Sequence, residues 1–136
     1  MFRTFAVLAA TASLLGTATA VAGAQPEPTP QNVEGCNYNL SAPSVVTVSG
    51  TTMVTAVLTV GACNGATTFE TAACIQMQGS SGAGQCTQGR GILPAQIFFQ
   101  PYRPGATYTS TGRGCASKGN PPRKICQENG PFTATL

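Results

Sequence analysis

The chain contains no histidine and no tryptophan, its four acidic residues are all glutamate, and only 8% of its residues carry charge. Each absence closes a class of function. Without histidine or aspartate, neither the usual base nor the orienting acid of a hydrolytic triad exists. Without histidine, and with no Cys-x-x-Cys spacing, a zinc centre has no ligand set. The carboxylates are Glu27, Glu34, Glu70 and Glu128. The first two fall in or beside an N-terminal leader, so a glycosidase pair across a cleft would have to be Glu70 and Glu128. Gly79-Ser80-Ser81-Gly82 is not a nucleophile elbow, and a Ser–Lys pair through Lys118 or Lys124 has no local motif. No catalytic residue and no cofactor are expected. The formal charge of +3 includes Arg3, and so weak a balance with few aromatics does not suit nucleic acid.

Long apolar runs are also missing, except at the start. Arg3 followed by the Ala-rich stretch 5–21 and then Ala22-Gly23-Ala24 has the three parts of a secretory signal peptide. Residues 1–24 are therefore expected to be removed, with cleavage after Ala20 as the alternative. The run is diluted by Thr, Ser and Gly, so it is not expected to persist as a membrane anchor. Residues 25–35 carry Pro26, Pro28 and Pro30 and read as an extended leader. Residues 36–136 then form one domain by length. The expected location is outside the cell, with association to the cell envelope open.

What the chain does have is glycine, threonine, valine, proline and six cysteines, the composition of short strands joined by tight turns. The central stretch VVTVSGTTMVTAVLTVGAC, residues 45–63, is two β-branched runs meeting at Ser49-Gly50, a two-residue hairpin signal. About that turn Val48 faces Thr51, Val45 faces Val54 and Cys36 faces Cys63. Cys74 and Cys86 are likewise symmetric about residues 79–81, and Cys115 and Cys126 about Asn120-Pro121. Three disulfides follow: Cys36–Cys63, Cys74–Cys86 and Cys115–Cys126. Such bridges persist where thiol buffers are absent.

Strands are expected at 36–48 (broken by Pro43 at a sheet edge), 51–60, 67–78, 85–88, 95–100, 107–115 and 126–136. Val54, Ala56, Leu58 and Val60 form one apolar row. Phe69, Thr71, Ala73, Ile75 and Met77 form another, with Phe69 and Met77 read as core. Residues 116–125 are expected to be a long polar tip. Ideal pairing about Asn120-Pro121 leaves Tyr108 and Phe132 on opposite faces. Either a bulge intervenes at Gly112, Gly114 or Gly130, or one aromatic is exposed.

These strands imply an all-β, disulfide-stapled sandwich of immunoglobulin or fibronectin III kind, with a small irregular barrel as alternative. The segment YRPGATY, residues 102–108, resembles the corner entering the sixth strand of an immunoglobulin-type sandwich, where a tyrosine bonds back to upstream backbone. The chain departs from antibody domains in lacking tryptophan and in placing Cys115 well downstream of Tyr108. The Ala-rich leader, EGCNYNLSAP, VTVSGTTMVTAVLT, PYRPGATY, GRGCAS and CQENGPFTATL together resemble small secreted proteins of mycobacteria and related actinobacteria with no assigned function. That resemblance implies no mechanism.

Binding is the function class left open. Lys118, Arg123 and Lys124 share the tip between the last two strands, with Arg113 nearby, and end loops of a sandwich commonly carry recognition. An anionic envelope component (phospholipid head group, polysaccharide) or an extracellular protein is the expected partner. An inhibitor of an extracellular hydrolase, or a carrier of a small apolar ligand, are the alternatives. A further option is pairing of a sheet edge with another chain.

Overall fold

The computed structural model describes residues 34–136; the expected signal peptide and nearly all of the leader lie outside them. Ser49-Gly50 starts the fold. Both residues take positive φ, 50° and 79°, the two-residue turn whose twist matches that of the flanking strands. It joins β2 (Ser44–Val48) to β3 (Thr51–Cys63) in the expected register, Val48 opposite Thr51 and Val45 opposite Val54. Pro43 interrupts the same edge, so β1 (Cys36–Leu40) pairs separately with the far half of β3. β6 (Ala95–Phe99) pairs with the other side of β3. The first sheet is therefore β1/β2–β3–β6.

The second sheet has the order β5–β4–β7–β8, from β4 (Ala66–Met77), β5 (Gln85–Arg90), β7 (Thr107–Lys118) and β8 (Arg123–Thr135). All strand pairs are antiparallel. The two sheets stack as a β-sandwich, not a closed barrel. All three expected disulfides form, each between residues directly opposite in register.

Period-two alternation places the core. Val54, Ala56, Leu58, Ala95, Ile97 and Phe99 are buried on the first sheet, and Ala73, Ile75, Tyr108 and Ala116 on the second. Phe99 meets Tyr108 edge to face at 5.7 Å. Tyr108 bonds back to the backbone upstream of it: its hydroxyl accepts the Arg103 N–H at 2.7 Å. Buried polar groups are paired, as low-polarity surroundings require. Thr71 donates to Leu93 O and Ser110 to Ser41 O, both at 2.9 Å.

Three expectations change. A register shift between Thr68 and Glu70 gives the core position to Thr68, and Phe69 is turned out, 41% exposed. The tip is shorter than expected: paired strand continues to Lys118 and resumes at Arg123, in unbroken register with the Cys115–Cys126 pair. Finally, both outcomes left open for Tyr108 and Phe132 occur. The ladder slips between Ser110 and Gly112 and sets Phe132 opposite buried Ser110. Phe132 nonetheless stays 43% exposed, because β8 is the last strand of its sheet.

Candidate interaction surfaces

The pleat decides what the basic residues can do together. Lys118 lies directly opposite Arg123 at the end of the β7–β8 ladder, and Arg123 forms an ion pair with Glu34. Lys124 pairs in register with Ser117, so its side chain projects to the other face. There its ammonium stands 5.7 Å from the centre of the exposed Phe69 ring. Arg113 shares that face, but four residues of strand separate its row from that of Lys124, about 13 Å. It sits opposite Glu128. On the same face Arg90 sits opposite Glu70. The cations of the tip are thus divided between two faces, and three of the nearby arginines have a carboxylate as ion-pair or register partner. Exposed pairs of this kind contribute only about 0–1 kcal/mol each, but they offset the positive field an anion would need.

The outer face of the second sheet is a mosaic. Glu70 and Glu128 both project from it, with β7 between their strands and register partners two residues apart on β7, so two interstrand spacings and that offset, about 12 Å, hold them apart. Glu70 borders neither depression of this face, and Glu128 borders one that holds no second carboxylate. A shallow depression of about 330 Å³ is bordered by Cys74, Thr111, Arg113, Glu128 and Pro131. A second of similar size is bordered by Gln76, Gln78, Thr109 and Thr133. In the first, the only charged groups are the register partners Arg113 and Glu128. Neither converges polar groups from several elements on one point, the usual signature of a small-molecule site.

The first sheet differs in kind. No charged residue occurs at positions 35–69 or 91–102, and β1, β2, β3 and β6 all fall inside those windows. Every charge among the described residues is on the second sheet or in a connecting segment. The outward face of the neutral sheet presents Val46, Val48, Met53, Val57 and Phe98. Val48 is 38% and Phe98 41% exposed, and Val46, Met53 and Val57 are half-buried. Between them, Gln96 donates to Thr55 Oγ1, which itself donates to Ile97 O, so the polar groups of this face are partly engaged with each other. The cores of protein interfaces are depleted in charge in the same way.

The sequence signal for this surface, two long uncharged windows, was present but is invisible until topology brings 36–63 and 95–99 into one sheet. No family model matches the chain, and neither curated proteins nor solved structures give a match.

Proposed function

We propose that the protein is an exported, non-catalytic binding domain acting outside the cell or at its envelope, and that its contact surface is the uncharged sheet. The strand order β1/β2–β3–β6 against β5–β4–β7–β8, with the Tyr108–Arg103 corner bond, supports an immunoglobulin or fibronectin III-like architecture. Three disulfides suit an oxidising compartment. The observation that carries the reading is the segregation of all charge away from one sheet, whose outer face exposes Val48 and Phe98. The favoured partner is an extracellular protein with a similarly neutral surface. An anionic envelope component is less well served, because the basic residues are split between faces and set beside acids.

The experiment is capture from envelope extract at low and high salt, comparing wild type with Phe98→Lys and with a variant in which Lys118, Arg123 and Lys124 are all Gln. Capture should survive high salt and the triple substitution, and be lost with Phe98→Lys. Loss with the triple variant, together with salt sensitivity, would move the site to the tip. Inhibition of a hydrolase is a second reading. It is favoured by one observation: Cys115–Cys126 clamps the β7–β8 hairpin just behind its four-residue turn, which lowers the ordering cost of insertion into a cleft.

A further inference from the structure

Four strand edges bound the two sheets, and three carry the features that normally stop edge-to-edge pairing: charge, proline, bulges or cover. β8 holds Arg123, Lys124, Glu128 and Pro131 and a register slip. β5 ends on Arg90 and packs beside β6, which is bounded by Pro94 and Pro101. On the remaining edge, β1 is covered from β8, where Asn129 Nδ2 donates to Tyr38 O at 2.6 Å. β2, the other half of that edge, is preceded by Pro43 but holds no charge, proline or bulge within the strand and has no cover. Its sequence is SVVTV, four of its five residues are exposed, and its register to β3 is unbroken. It makes no substantial contact with the second sheet among the described residues, so Val45, although on the core side opposite Val54, is 43% exposed.

Hydrogen-bond phase fixes what this edge offers. The turn at Ser49-Gly50 bonds Val48 to Thr51, and antiparallel bonding alternates. Val48, Val46 and Ser44 therefore bond inward to β3, while Val45 and Thr47 direct their N–H and C=O groups outward. Those four groups have no backbone partner among the described residues. We infer that this edge pairs antiparallel with β2 of a second copy of the chain, about a two-fold axis at Val46. In that register Val45 bonds Thr47 of the other copy, Thr47 bonds its Val45, and the two Val46 side chains meet on the outer face. All four outward groups are used. Shifting the register by two residues in either direction brings in Pro43 or the turn, and loses bonds. No charge lies in either strand, so nothing repels. Residues 25–33 are a poorer occupant: they enter the domain at Glu34, at the far end of β1 from β2, and Pro26, Pro28 and Pro30 lack the N–H donors. The inference rests on the neutral sheet being a contact surface, but it concerns the edge and not the face.

A five-residue edge is smaller than a standard interface of about 1,600 Å², so the dimer belongs to the micromolar-to-millimolar class. The test is sedimentation velocity of the disulfide-bonded protein from about 10 μM to about 1 mM. Wild type should shift from monomer to dimer across that range. Thr47→Pro removes one outward donor per copy and leaves the bonds to β3 intact; it should raise Kd about tenfold or more. Val46→Lys and Val46→Glu each place like charges opposite themselves and should both stay monomeric, whereas their equimolar mixture should dimerise. Circular dichroism and thermal unfolding confirm that each variant is folded. A wild type that stays monomeric at 1 mM overturns the inference while leaving the capture result for Phe98→Lys to stand or fall alone. Dimerisation unaffected by Thr47→Pro, or no rescue in the mixture, overturns it too, by assigning self-association to another face.

Discussion

Gly114 is predicted to be sensitive to the smallest possible substitution. It lies on the core side of β7, opposite Thr71. The ring of Tyr38 from β1 lies so close that a Cβ at residue 114 would overlap its ring carbons. Non-bonded carbons want about 3.5–4.0 Å, so Gly114→Ala forces the ring to move by more than an ångström. Tyr38 is 7% exposed and has little free space to enter. Its hydroxyl also shares a buried hydrogen bond of 3.1 Å with Thr68 Oγ1, which the displacement breaks. Overpacking costs about 1–3 kcal/mol and a broken buried hydrogen bond about 1–3 kcal/mol. The two costs overlap, so a loss of about 2–4 kcal/mol is expected. Tyr38→Ala alone leaves a cavity costing about 3–5 kcal/mol. In that background the added methyl has room, so the double variant should be more stable than the sum of the singles by about 2 kcal/mol. Urea unfolding with disulfides intact, followed by circular dichroism, measures all four corners of the cycle. A Gly114→Ala loss below about 0.5 kcal/mol, or an additive cycle, would refute the packing argument.

Tyr108→Phe deletes the acceptor of the Arg103 N–H without changing ring packing on Phe99, and should cost about 1–2 kcal/mol in the same assay; an unchanged midpoint would mean that the corner bond contributes nothing. Cys36–Cys63 spans 27 residues, against 12 and 11 for the other bridges. Loop-closure entropy assigns it about 3.6 kcal/mol and the others about 2.8 kcal/mol each. Replacing Cys36 and Cys63 together by Ala should therefore lower stability most of the three paired replacements, and a larger loss at Cys74–Cys86 would contradict the ordering.

Local rules carried the fold a long way because its decisive features are local. A two-residue turn with Gly at its second position fixes β2–β3, and symmetry about the three turn centres picks the cysteine pairs, although Tyr38–Leu40 pair one residue off that symmetry and a shift between Cys36 and Tyr38 restores it at Cys63. Both arguments need only sequence spacing. The places where spacing failed are those where one residue was inserted into a ladder. The bulge beside Phe69 exchanges it with Thr68, and a threonine can fill a core position only because the Tyr38 hydroxyl, thirty residues away, satisfies it. Nothing within the strand itself, where Phe69 has the greater apolarity, announces that partner. The slip near Gly130 was foreseeable from the glycine, but the exposure of Phe132 depends on β8 being an edge strand, a property of strand order.

The candidate surfaces follow the same division. Lys118, Arg123 and Lys124 form one patch only if residues 116–125 are a loop, in which neighbours in sequence are neighbours in space. Paired strand obeys another rule: neighbours point to opposite faces, and the residue that shares a face is the one across the ladder. Lys118 therefore meets Arg123, while Lys124 meets Phe69 from a different strand. The same rule turns an unremarkable absence into a surface. Uncharged residues at 35–69 and 91–102 mean little as separate segments, since any buried strand could account for them. Once β3 joins them in one sheet they leave an entire face, and one open edge, without the charges that keep other edges of this molecule apart. Charge on β8 and its absence from β2 are then two parts of one arrangement, in which one sheet and the segments outside the strands carry every charge of the described residues and the other sheet carries none.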